Sequence, residues 1–89
     1  MSRKTVAIKM ITAVGCERCR EVLGRIVEAA KRVGVVIALQ EFDSSTNEAV
    51  ELGIAYELDD VPSFVVGSKG FSGNGFSDLD VEKAMKEAR

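Results

Sequence analysis

Cys16 and Cys19 are the two cysteines of this chain, and they stand three apart in the run Cys16-Glu17-Arg18-Cys19. Thiols at that spacing suit two chemistries. They can close and reopen a disulfide, or they can hold a soft metal as a pair of thiolates. A secreted scaffold of 89 residues stapled by disulfides would carry more cysteines. A bridge across so short a loop also adds little stability. A purely structural disulfide, or two inert core thiols, is therefore the weaker reading.

The elements around the pair sharpen this. Residues Thr5 to Thr12 (TVAIKMIT) are β-rich and partly alternating, which predicts a strand. Ala13-Val14-Gly15 makes a turn. From Cys16 the pattern becomes helical, with Cys19, Leu23, Ile26, Val27, Ala30 and Val33 on one face and Gly34 as the stop. Residues 35–42 (VVIALQEF) predict a second strand, buried and parallel to the first. Asp43-Ser44-Ser45 opens a second helix, with Ser45 and Glu48 spaced as a capping box and Gly53 weakening its end. Ser63 to Val66 is a third strand. The Gly67-Ser68-Lys69-Gly70 turn leads to a short strand near Phe71, so these two form a hairpin. After Gly73-Asn74-Gly75, Ser77 with Asp80 marks an N-cap. Val81, Ala84, Met85 and Ala88 predict a closing amphipathic helix.

The order is βαβαββα in a single domain over residues 1–89. The first β-α-β unit requires parallel strands and a right-handed crossover, and the closing hairpin is antiparallel. The expected α/β fold is a four-stranded mixed sheet flanked by helices.

Cys16 and Cys19 thus fall where a strand gives way to a helix. Helical geometry sets Cα atoms three residues apart at about 5 Å, inside the roughly 4.4–6.8 Å that a disulfide tolerates. Cys16 faces unpaired N–H groups and the positive end of the helix dipole, which favour its thiolate. Cys19 lies one turn in, on the apolar face, where burial disfavours the charge. Cys16 is the expected attacking thiol and Cys19 the resolving one. Arg18 favours the thiolate and Glu17 opposes it, unless both are simply solvated helix surface.

Composition narrows the partners. The net charge of −2 and the few aromatics (6%) give no basic face and no stacking platform, so no nucleic acid is expected. No apolar run approaches a membrane span. The basic start Met1-Ser2-Arg3-Lys4 leads into a stretch interrupted by Lys9 and Thr12, unlike a signal peptide. A cytoplasmic monomer is expected.

Three features together resemble the thioredoxin superfamily, nearest its small glutaredoxin-like branch. They are Cys16-Glu17-Arg18-Cys19 after the first strand, Val61-Pro62-Ser63 before the third, and the βαβαββα order. The resemblance spans nearly the whole chain. It implies a thioredoxin-like fold and a disulfide oxidoreductase, with disulfide-bearing proteins or small molecules as substrates, an upstream reductase as electron donor and no cofactor. It implies that Pro62 is a cis-proline facing the cysteines and that the Val61 backbone pairs with an extended substrate segment. Glutathione stays open as a partner. Glutaredoxins often carry Lys shortly before the first cysteine, where this chain has Ala13 and Val14, and Gly73, Gly75 and Asp78 match their glycine-acidic pattern only loosely. Glu17-Arg18 is neither the Gly-Pro of thioredoxins nor the Pro-Tyr of glutaredoxins. The segment 53–62 looks longer than in typical members, either as a partner surface or as an extra helical turn.

Two other classes compete. Heavy-metal chaperone domains also place C-x-x-C between a first strand and a first helix, and two thiolates suit Cu(I). Their order is βαββαβ, with Met two residues before the first cysteine, where this chain has Val14. A closed zinc site needs four ligands and here would have to be shared between subunits or use carboxylates. The remaining class is a thioredoxin-like interaction module whose cysteines do not turn over. No metal site is expected within the chain.

Overall fold

A computed structural model of the protein describes residues 4–88. Met1, Ser2 and Arg3 of the basic N-terminal stretch, and Arg89, lie outside the described residues. The elements are β1 (Thr5–Thr12), α1 (Glu17–Val33), β2 (Val36–Asp43), α2 (Asn47–Tyr56), β3 (Ser63–Val66), β4 (Lys69–Ser72) and α3 (Asp78–Glu87). The order is the βαβαββα read from the sequence. The sheet runs β2-β1-β3-β4. β1 and β2 are parallel, from Thr5 opposite Val36 to Thr12 opposite Asp43. β3 lies antiparallel to β1, with Ile11 opposite Ser63, and β4 closes the hairpin on β3. Its loop is two residues, Gly67-Ser68, tighter than the four-residue turn expected. Gly67 supplies the positive φ (61°) that such a loop needs at its first position.

Alternation along β1 sends Val6, Ile8 and Met10 to one face, where they meet Val22, Ile26, Ala29 and Ala30 of α1, Phe64 and Phe71 of the hairpin, and Val81, Ala84 and Met85 of α3. Removing an aliphatic side chain such as Ile26 from water stabilises the fold by about 1.5–3 kcal/mol. The other face carries a smaller cluster of Ile11, Val65, Ala49 and Leu52, flanked by Phe42, Tyr56 and Leu58. On α1 the buried stripe includes Cys19, Ile26 and Ala30 as expected, but also Val22 and Ala29. Leu23, Val27 and Val33 are only half-buried, because α1 meets both the sheet and α3 and its buried stripe is centred nearer Val22 and Ile26.

Two local expectations are corrected. β2 is not buried. It is an edge strand in which exposed Val36, Ala38 and Gln40 alternate with half-buried Ile37 and Leu39. β3 takes the other side of β1, so β2 has one neighbour, and the short α2 covers only the Ile11–Phe42 end of the sheet. The N-cap of α2 is Thr46, not Ser45. The Thr46 hydroxyl accepts from the Ala49 N–H at 3.3 Å. The Ser45 hydroxyl instead donates to the Asp43 carboxylate at 2.6 Å, and the cap bond of the helix is made by Thr46. Ser77 caps α3 in position, without a side-chain cap bond. Among the described residues no helix is long and apolar enough to cross a membrane.

Candidate redox site

The turn after β1 is closed by the Cys16 N–H donating to the Ala13 carbonyl at 3.2 Å, with Gly15 at a φ of 77°. Cys16 is then the N-cap of α1, in extended backbone conformation. Its Cα lies 5.4 Å from that of Cys19, and the two are joined as a disulfide, in line with the helical spacing. Cys16 Sγ accepts from the Cys19 N–H at 3.0 Å. In the dithiol the same N–H is placed to hold a Cys16 thiolate, since hydrogen bonds to the charged form favour it. Cys16 is half-buried and borders an open groove of about 690 Å³, lined by Ala13, Gly15, Glu17, Arg20 and Glu21. Cys19 is buried at 7% exposure within the main core. The two sulfurs therefore differ in access, as the amphipathic pattern suggested.

Val61 and Pro62 precede β3. Their peptide bond is cis. Pro62 is buried and Val61 is exposed. The Pro62 carbonyl accepts from the Gly73 N–H at 2.8 Å. Arg18 Nη2 donates to the Gly73 carbonyl at 3.2 Å. Gly73 thus links the Pro62 loop to the C-x-x-C turn. A Cβ on Gly73 would collide with the Pro62 carbonyl oxygen and ring, so this approach admits only glycine. On the far side Ser72 Oγ donates to Asp60 Oδ2 at 2.6 Å and accepts from the Asn74 N–H at 3.3 Å. The N–H and C=O of Val61 make no hydrogen bond to other described residues.

Sequence reasoning singles out both cysteines, Val61 and Pro62. It reads Gly73 as a chain breaker and a loose match to the glutaredoxin pattern, and gives Arg18 an electrostatic role or a place on the solvated helix surface, without joining the two. The Gly73-Asn74-Gly75 run marks a turn, but nothing in it says which strand end the turn must touch. Among the described residues no group of three or more His, Cys, Asp or Glu gathers as a metal site.

Solved structures similar in shape decide the fold. A thioredoxin-like protein from Clostridium perfringens matches 97% of this chain and 72% of its own, with a TM-score of 0.64 at 16% identity. The chain has the thioredoxin fold. Deadhead, a germline-specific thioredoxin of Drosophila melanogaster, matches with a TM-score of 0.59 at 18% identity, over 94% of this chain and 81% of its own. Fasciola hepatica thioredoxin matches with a TM-score of 0.58 at 20% identity, over 98% and 84%. No protein-family model and no curated protein sequence matches the chain. The thioredoxin fold, with Cys16 and Cys19 at disulfide distance on a helix N-terminus, supports a thiol–disulfide redox role.

Proposed function

We propose that the protein is a disulfide oxidoreductase that reduces disulfides in protein substrates. The observation that carries this is the bonded Cys16–Cys19 pair, with one sulfur accessible at a helix N-terminus and the other buried behind it. In the reduced protein the Cys16 thiolate attacks one sulfur of the substrate disulfide. A mixed disulfide forms and the other substrate sulfur leaves as a thiolate. Cys19, losing its proton, attacks Cys16 Sγ and frees the first substrate sulfur. The substrate gains two electrons and two protons overall, and the protein is left oxidised. An upstream dithiol reductase reverses the last state. Val61, with its free N–H and C=O beside Pro62, would pair with an extended substrate segment. The exchange would run in the cytosol, where thiol pools favour reduced dithiols, and in a monomer. Glutathione would be tested as a competing donor.

The deciding experiment is dithiothreitol-driven insulin reduction. Wild type should be active and Cys16→Ser inactive. Cys19→Ser should trap a mixed disulfide through Cys16. Equal behaviour of wild type and both variants would end the proposal.

A further inference from the structure

A second groove lies next to the site, between α2 and residues 57–61. It measures about 480 Å³, and its apolar walls are Ile11, Val50, Ile54, Leu58 and Val61. Three of these are large aliphatics left substantially open to water: Ile54 at 74%, Val50 at 53% and Val61 at 40%. Single exposed aliphatics need no explanation, but three around one groove do. The wall is fixed. After α2 the chain turns through Glu57 at a φ of 56°. It then folds back so closely that a Cβ on Gly53 would lie 2.8 Å from the Leu58 carbonyl oxygen. One end of the groove is Val61 itself, which runs into Pro62 and the redox site.

Charge says what kind of segment fits. Between Arg32 and Lys69 the chain has seven Asp and Glu residues and no Lys or Arg. Glu57, Asp59 and Asp60 stand at the groove. Asp60 is occupied by Ser72. Glu57 and Asp59 are exposed and have no ion-pair partner among the described residues. Lys9 lies on the other flank of α2, in the company of Glu48 and Glu51. An acidic segment would be repelled here. So would the same face of a second copy of this chain, which would bring carboxylates against carboxylates.

We propose that this groove receives an apolar side chain from a basic segment of the disulfide-bearing partner, with a neighbouring Lys or Arg facing Glu57 and Asp59. The inference rests on the reductase reading and adds its substrate class: polypeptides with an aliphatic residue and a basic residue flanking the target cysteine.

The test uses short disulfide-bridged peptides, identical except for a Leu-Arg, Leu-Glu or Ser-Arg flank, with kcat/KM measured at low salt. Leu-Arg should exceed Leu-Glu by about fivefold and Ser-Arg by about tenfold. The first ratio should shrink at about 0.5 M salt. Ile54→Ser should bring the Leu/Ser ratio toward one, and the double variant Glu57→Asn/Asp59→Asn the Arg/Glu ratio. Each ratio is read within one protein, so a change in the active fraction cancels. Equal rates for the three peptides, or ratios that persist in the variants, overturn the proposal. A disulfide-free Leu-Arg peptide, with serine for its cysteine, separates this from the chemistry. Its titration should move the amide resonances of Ile54 and residues 57–61. Perturbation elsewhere, or none, overturns the groove whatever the insulin assay gives. Perturbation there without insulin reduction sustains the groove and removes the reductase reading.

Discussion

The guanidinium of Arg18, inside the C-x-x-C motif, donates to the carbonyl of Gly73 across 3.2 Å, although the two residues are 55 positions apart. The Gly73 N–H donates in turn to the Pro62 carbonyl at 2.8 Å. One side chain and one glycine therefore connect the turn that carries the cysteines to the loop that carries Val61 and Pro62. Arg18 is one of the two residues between the sulfurs. Its position ties any motion of the α1 N-terminus to the loop facing it.

Arg18→Met keeps the aliphatic stem and removes the donor and the charge. It should cost about 1 kcal/mol of stability and speed amide exchange at Gly73 about fivefold, the same energy read locally. Arg18→Lys restores the charge without the planar fork. It should therefore return the pH profile of Cys16 alkylation toward wild type while leaving Gly73 less protected. Unchanged Gly73 exchange in Arg18→Met would show that the bond holds nothing in place.

Gly73→Ala tests the same junction from the other side. Its Cβ would meet the Pro62 carbonyl and ring, atoms that cannot swing away. Overpacking of this kind costs about 1–3 kcal/mol, and the shift falls on the Pro62 loop. Thermal melting should show the loss, and insulin reduction at fixed temperature should slow as well. Gly75→Ala points into open space and should stay within about 0.5 kcal/mol of wild type. Equal effects at the two glycines would mean that the close approach carries no weight.

Much of this is legible in the sequence, for physical reasons that differ by element. β1 announced itself because its alternation is real: Val6, Ile8 and Met10 are buried and Thr5, Ala7 and Lys9 are exposed. The cysteine pair was legible because helix geometry ties a three-residue spacing to a bondable distance. β2 misled because an apolar run records attraction to the core but not which side of the sheet is left uncovered. β3, which takes the other side of β1 and leaves β2 at the edge, comes from the far half of the chain. The α2 cap is displaced by one residue because Ser45 and Thr46 are both good cap residues and spacing alone does not say which hydroxyl reaches the Ala49 N–H. The Arg18–Gly73 bond joins chain-distant residues through a tertiary approach that no local pattern encodes.

The start of α2 separates those two hydroxyls. Thr46 Oγ1 accepts from the Ala49 N–H and donates to the Asp43 carbonyl at 2.7 Å. Thr46→Ala should therefore cost about 1 kcal/mol at neutral pH, as lost caps do. Ser45 acts on Asp43 instead. Its hydroxyl, and then its N–H, hold the Asp43 carboxyl below the ordinary 3.8. A depressed folded pKa contributes stability above the ordinary value, and that contribution is lost as pH falls through the folded value. Ser45→Ala should raise the Asp43 pKa in a carboxyl NMR titration and flatten the fall of Tm below about pH 4. If Ser45→Ala proves the costlier change at neutral pH, the cap belongs to Ser45 after all.

Ser63 follows Pro62 and opens β3, paired with Ile11 on one side and Ser72 on the other. It is fully buried, and its Oγ has no hydrogen-bond partner among the described residues. It shares a sheet face with Ile11, Val65 and, directly opposite on β4, Ser72. An unpartnered buried hydroxyl costs about 1–3 kcal/mol, and alanine removes it with almost no change of volume. Ser63→Ala should therefore raise stability, by about 1 kcal/mol in denaturant unfolding with an unchanged m-value. A loss of similar size would instead mean that the hydroxyl has found a partner, of which a trapped water is the natural one in so closed a place. That outcome would make Ser63 a fixed polar support beneath Pro62, and Ser63→Thr, which keeps the hydroxyl, should then recover more of the lost stability than Ser63→Val.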